Sequence, residues 1–338
     1  MTGERKESVA VVGAGSWGTA FAIMLAERHD DIALWAHEEE VCDSLRRSRE
    51  NRPFLPGIPV PEAVRPTNDL AEAVSGKSVV AFAVPSHHLR DIAGRTAPLL
   101  SADAFLVSLS KGVENGTLRR MTEILAEASP RHAPRVAVLS GPTFAREVAE
   151  GKPTGATVAA EDLSVARRLQ DVLWGSRFRV YADDDVVGIE IGGALKNVMA
   201  IAAGICDGLG FGHNARALLI SRGLAEITRL GVRLGAHPQT FAGLSGMGDL
   251  VLTCTGDLSR NRSVGMRVGR GEPIGEVLGG MTMVAEGVRT ARSAVELSAR
   301  TGVPMPISEQ VFRILHEGKD ALGAVSELFA RTLKREKE

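Results

Sequence analysis

The chain has 338 residues, 44% of them hydrophobic and 24% charged, with a formal net charge of −1. That length points to two domains with a substantial core, while the near-zero charge and 4% aromatic content argue against nucleic acid or an anionic membrane surface as partner. Cys42, Cys206 and Cys254 lie far apart without a CxxC pair, as in a reducing compartment that uses neither disulfides nor zinc.

The first strand-like run, SVAVVG at 8–13, leads into a glycine-rich turn and a helical run from Trp17 to Arg28. Gly13, Gly15 and Gly18 stand in G-x-G-x-x-G spacing. In this strand–turn–helix context Gly13 allows the tight turn, Gly15 lets a pyrophosphate approach the backbone, and Gly18 lets helix and strand pack closely. The helix N-terminus then faces the anion. Residues 9–26 carry no charge and follow Arg5 and Lys6, a superficial likeness to an export signal. The glycines divide that stretch into a strand and a separate helix, so the expected location is the cytoplasm. A second strand at 32–36 ends at His37, followed by Glu38, Glu39 and Glu40. His37 can donate to a ribose or to a 2′-phosphate, and the glutamates equally suit the first turn of a helix, so NAD and NADP both stay open.

Residues 51–66 hold five prolines and read as an extended surface loop, a spacer by composition. Further strand-like runs occupy 78–84, 104–110, 135–140, 155–160 and 178–182, with helical patterns at 87–97, 118–128 and 163–174. Apolar nearly throughout, several of these runs suit strands buried on both faces of a parallel sheet. Three of them run into candidate ligand groups at their carboxyl ends: Pro85 and Ser86, Lys111, and Gly141 with Thr143. The adjacent His87 and His88 diverge from either a regular helix or a strand, which argues against a metal pair.

After residues 182–190 the strand-like runs stop, and helical spacing appears at 214–234, 286–301 and 304–317. The expected division is therefore 1–189, a doubly wound α/β unit that binds the cofactor, and 190–338, an all-α unit for substrate binding and catalysis. Lys196 sits in the apolar stretch 192–210, where an ammonium is costly unless it is paired, snorkels to water or is used. The glycines at 192 and 193 are expected to leave room beside it for a substrate. Between 244 and 265, Asp249 precedes a Ser259-Arg260-Asn261 cluster whose guanidinium suits a phosphate. Ordinary capping and a solvated basic turn are the competing readings of these residues.

Taken in order, GAGSWGTA, VPSH, SKG with Glu114, SGPTFAREVA, GGALKNVMAIAAGICDGL, GMGDLVLTCTGDLSRNRSVG and VAEG resemble the bacterial NAD(P)-dependent glycerol-3-phosphate dehydrogenases across residues 8–332. The resemblance implies a Rossmann-type domain followed by an all-α domain, a homodimer, and supply of the glycerol phosphate backbone of phospholipids. It also implies residue roles. Lys196 becomes the proton-transfer lysine at the C2 oxygen, and Lys111 contacts substrate and cofactor. Gly141, Thr143, Asp249, Ser259, Arg260 and Asn261 complete the substrate pocket. Ser16, Trp17, His37, Phe54, Ala145, Val284 and Glu286 join the glycines and Arg260 at the NAD(P)H site, and no metal is involved. A sibling dehydrogenase of another hydroxy acid, or a non-catalytic nicotinamide sensor, is the alternative; the sensor has no use for Lys196 or Lys111.

Overall fold

The computed structural model describes residues 7–281, 284–332 and 335. Its first half alternates strands and helices: β1 (Ser8–Val12), α1 (Ser16–Leu25), β2 (Asp31–Trp35), α2 (Glu39–Ser48), β3 (Glu50–Asn51), β4 (Leu55–Pro59), β5 (Val64–Thr67), α3 (Leu70–Val74) and β6 (Val79–Phe82). Then come α4 (Leu89–Thr96), β7 (Phe105–Ser108), α5 (Met121–Ala128), β8 (Val136–Ser140), α6 (Ala145–Ala149), β9 (Thr154–Ala159), α7 (Leu163–Leu173) and β10 (Phe178–Asp183). One eight-stranded sheet has the order β10-β9-β8-β7-β6-β1-β2-β5. Its interior strands are buried apart from their first residues, β1 through Val9, Ala10, Val11 and Val12, because helices cover both faces.

Three expectations are corrected. First, the proline-rich stretch is no plain loop: β3 and β4 form a small antiparallel hairpin, and β5 pairs with β2 at the sheet edge. An edge position tolerates Pro66, which has no N–H to give an outer neighbour. Second, the sheet is not parallel throughout, since β9 runs antiparallel to β8 and β10 follows β9. Third, the rings of His87 and His88 do not diverge. Their centroids lie 3.9 Å apart with the ring planes tilted by 43°, because Ser86–His88 forms a tight 3-10 turn rather than a regular helix or strand. The stretch 9–26 that mimics an export signal forms the buried β1 and α1.

The second half is helical: α8 (Val186–Gly208), α9 (His213–Arg233), α10 (Asp249–Thr255), α11 (Arg260–Gly269), α12 (Ile274–Gly279), α13 (Glu286–Thr301), α14 (Pro306–Glu317) and α15 (Ala321–Phe329). Helix α8 is long and apolar enough to cross a membrane, with a mean hydropathy of 1.5, yet 94% of that window is buried inside the protein. It is the hub of the helical half, packed by α9, α10, α11 and α13. The α8–α11 crossing is so close that a Cβ at Gly204 or Gly265 would collide with the facing backbone carbonyl. Asp185 caps α8, accepting from Gly188 N at 2.8 Å, and also takes His237 N at 2.8 Å.

Candidate active site

Strand β1 runs into Gly13, whose φ of +113° is a conformation other residues rarely adopt and where a Cβ would lie 2.7 Å from the Ala83 carbonyl oxygen. A Cβ at Gly18 would collide with the Gly13 carbonyl oxygen, so α1 lies directly against the turn. Gly15 differs. It is the N-cap of α1, no side chain caps the helix, its first turn holds no acid, and a Cβ there meets nothing within 4 Å. The backbone N–H groups of this helix start therefore face open space, which fits a pyrophosphate. Trp17 adds a buried indole N–H without a partner among the described residues.

The hairpin holds this turn in place. Asn51, fully buried, donates from Nδ2 to the Ala14 carbonyl at 2.8 Å and to Thr19 Oγ1 at 2.7 Å. Ser16 Oγ donates to the Phe54 carbonyl at 2.7 Å. At the end of β2, His37 is exposed and packs on Trp35 with ring centroids 5.7 Å apart, and Glu39 and Glu40 open α2. Ala145 opens α6, which packs against α1.

At the carboxyl ends of β7 and β8, Lys111 Nζ donates to the Gly141 carbonyl at 3.0 Å, to Thr143 Oγ1 at 3.5 Å and to Asp249 Oδ2 at 2.7 Å. Lys196 Nζ, on α8, donates to the other oxygen, Asp249 Oδ1. Asp249 is fully buried and Lys196 is 7% exposed, so one carboxylate bridges two ammoniums away from water. Burial disfavours the charged amine, and the Lys111 ammonium opposes it further. Asp249 only partly offsets both, so the Lys196 pKa is pushed down to about 7. Thr253 Oγ1 reaches Asp249 Oδ1 at 3.3 Å from the next turn.

The glycines before Lys196 act differently from the expectation. A Cβ at Gly192 would stand 2.7 Å from the Ser245 carbonyl oxygen, and one at Gly193 would stand 2.7 Å from Ser140 Oγ. They let α8 press against neighbouring elements and do not hold open a substrate space.

Of the Ser259-Arg260-Asn261 cluster, two members are engaged by the protein. Ser259 caps α11 by accepting from Arg262 N at 3.2 Å. Asn261 donates to Asn197 Oδ1 at 2.9 Å and accepts from Gly287 N at 2.9 Å. Arg260 is exposed and makes no hydrogen bond or ion pair among the described residues. Glu286 opens α13 and accepts from Ser86 N at 2.9 Å and Ser86 Oγ at 2.6 Å, joining the end of β6 to the helical half. Val284 is exposed just before it. Asn51, Ser140 and Ser245 escape a reading of the sequence. Only the glycine-rich LSGMGD before Asp249 signals unusual backbone there.

A glycine-lined helix start at the sheet's carboxyl edge, beside two lysines sharing one buried carboxylate, defines an NAD(P)-dependent oxidoreductase. The family models described as NAD-dependent glycerol-3-phosphate dehydrogenase N-terminus and C-terminus match residues 8–166 and 185–326. The glycerol-3-phosphate dehydrogenase [NAD(P)+] of Geobacter sp. (strain M21) is 55% identical over 331 residues, 98% of this chain and 99% of that protein. The glycerol-3-phosphate dehydrogenase structure from Coxiella burnetii superposes with a TM-score of 0.91 at 38% identity, covering 96% of this chain and 99% of that one. The Saccharomyces cerevisiae enzyme superposes with a TM-score of 0.80 at 27% identity, covering 95% and 99%. The chain belongs to the NAD-dependent glycerol-3-phosphate dehydrogenase family.

Proposed function

We propose that this chain interconverts sn-glycerol 3-phosphate and dihydroxyacetone phosphate, with Lys196 moving the proton at the C2 oxygen. The observation that carries the reading is the Lys196–Asp249–Lys111 bridge, which keeps an amine buried and titrating at about 7. Such an amine serves as acid or base near neutrality. The α1 N-terminus with Ser16, Trp17, His37, Phe54, Ala145, Val284 and Glu286 would hold NAD(P)H, which would supply the hydride. When the ketone is reduced, Lys196 as ammonium gives its proton to the carbonyl oxygen, and the neutral amine left beside Asp249 takes a fresh proton from solvent. When the alcohol is oxidised, the neutral amine takes the hydroxyl proton. Lys111 offsets negative charge developing on that oxygen. Arg260, with Ser259 and Asn261 behind it, suits the substrate phosphate, and Gly141 and Thr143 line the same sheet edge.

Residues 1–189 form the cofactor unit in this reading and 190–338 the substrate and catalytic unit. The enzyme works in the cytoplasm as a homodimer and supplies glycerol 3-phosphate for phospholipids. The test is the initial rate of NADH and of NADPH oxidation with dihydroxyacetone phosphate, the ratio of the two rates reporting what His37 selects. Lys196→Ala abolishes turnover while cofactor affinity, read by fluorescence titration, stays close to that of the parent. A variant that keeps most of its rate overturns the assignment of the proton-transfer group.

A further inference from the structure

Asp249 is the first residue of α10 and follows directly on a single π-helical turn, Leu244–Gly248, closed by Gly248 N donating to the Gly243 carbonyl at 3.1 Å. Wide turns of this kind are rare and often stand at functional sites. Here the turn is wedged on several sides. Ser245, 1% exposed, donates from Oγ to the Ser140 carbonyl at 3.0 Å. Its own carbonyl oxygen lies against Gly192 on α8, one turn before Lys196, where a Cβ would come within 2.7 Å. A Cβ at Gly246 would collide with the Phe241 carbonyl oxygen, and Leu244 lies against Gly155 on β9.

Ser140 is the last residue of β8, and the next residue, Gly141, offers its carbonyl to Lys111 Nζ at 3.0 Å. The Ser245 hydroxyl thus joins the strand end that holds one lysine to the turn that carries the carboxylate shared by both. Gly192 sets the distance between that turn and the helix carrying the other lysine. We infer that Ser245 is a positioning residue for proton transfer, fixing the Asp249 carboxylate between Lys111 and Lys196 through its hydrogen bond to the end of β8. This rests on the reading of Lys196 as the proton-transfer group. The titratable groups facing Lys196 are Asp249 and Cys254 from α10 and Lys111 from the end of β7. Burial pushes the Cys254 thiol up to about 12, which keeps it neutral. Displacing Asp249 therefore withdraws support from the Lys196 ammonium and leaves the Lys111 charge opposing it.

The experiment measures kcat for reduction of dihydroxyacetone phosphate against pH for the parent enzyme, Ser245→Ala and Gly192→Ala. Gly192→Ala pushes the same turn from its opposite side. In both variants the alkaline fall of kcat is expected to move down by about half a pH unit or more. The plateau kcat drops about tenfold, as for a small misplacement of a reacting group. KM and NADH affinity change by less than about twofold, which a general loosening of the site would not leave intact. Ser245→Thr, which keeps the hydroxyl, restores the parent pH profile. If one variant does not fold, the other carries the test. A folded variant with the alkaline fall in the parent position and kcat within about twofold of the parent overturns the inference, leaving Ser245 as packing alone. Lys196→Ala run alongside separates the two readings. Its retained activity sinks the proton-transfer assignment, whereas its inactivity beside an unshifted Ser245→Ala profile sinks only the role of Ser245.

Discussion

Replacing Asp249 by asparagine keeps the side chain's shape and removes the charge that Lys111 and Lys196 share. The carboxylate is fully buried and hydrogen-bonded to both ammoniums. Breaking a buried pair by deleting one partner costs roughly 3–5 kcal/mol, partly recovered when the remaining group changes protonation. A fall of ~2 units in the Lys196 pKa corresponds to ~2.7 kcal/mol, just below that range, as the partial recovery requires. The amine then titrates well below the value of about 7 that it has beside the intact carboxylate. At pH 7 about half of the parent molecules carry the ammonium, against ~1% of the variant, so ketone reduction slows ~50-fold there. The sign follows from the role: reduction needs the protonated amine, so the lost rate returns as the pH is lowered. Alcohol oxidation needs the neutral amine, so its acid limb moves down in pH. The assay is kcat for NADH oxidation with dihydroxyacetone phosphate from about pH 5 to 9, with circular dichroism to verify the fold. An alkaline limb that stays where the parent has it would refute the claim that Asp249 sets the proton affinity of Lys196.

Two further outcomes test other parts of the molecule. Gly15→Ala adds a methyl where nothing lies within 4 Å, at a φ of −70° that alanine adopts freely. Thermal unfolding is therefore expected to stay in place while calorimetric NADH affinity falls about tenfold or more, and unchanged affinity would contradict the pyrophosphate reading of this turn. Glu226 accepts from Ile307 N at 2.9 Å and Ser308 N at 3.0 Å at the start of α14 and makes no hydrogen bond to Lys111 or Lys196. Glu226→Ala strands those donors and should cost about 2–3 kcal/mol, lowering the Tm by several degrees with kcat unaltered.

Every strand-like run read from the sequence becomes a strand, because an apolar β-branched run bounded by turn residues has little else to do. Strand β5 is hidden by Arg65 and Pro66, residues a central strand rejects and an edge strand accepts. The reversal of β9 is equally hidden, since a strand buried on both faces has the same composition in either direction. Lys111, Lys196 and Asp249 each stand out as chemistry-bearing residues, but their meeting on one carboxylate is a tertiary fact spanning 138 positions of sequence for Lys111 and Asp249. Gly192 and Gly193 show the opposite failure. Their lack of a side chain reads as vacant space, and it is filled by a carbonyl and a hydroxyl from other elements. Ser245 and Asn51 carry no periodic signal at all, and their importance lies wholly in the partners that the fold delivers to them.

The reversed pair of strands has a consequence for the chemistry. Because β9 and β10 run against the rest of the sheet, the chain leaves β10 at the edge away from the cofactor turn, and α8 has to travel back alongside the sheet. Lys196 lies ten residues beyond Val186, about 15 Å from the helix start, and twelve before the helix ends at Gly208. Had the last strands been parallel, the helix would begin at the ligand edge and place its partial positive charge beside the reacting amine. Instead the amine sits in mid-helix, electrically insulated from both termini. Its proton affinity is left to one carboxylate, one ammonium and the dryness of the site, each of which a single substitution can adjust without remaking the backbone.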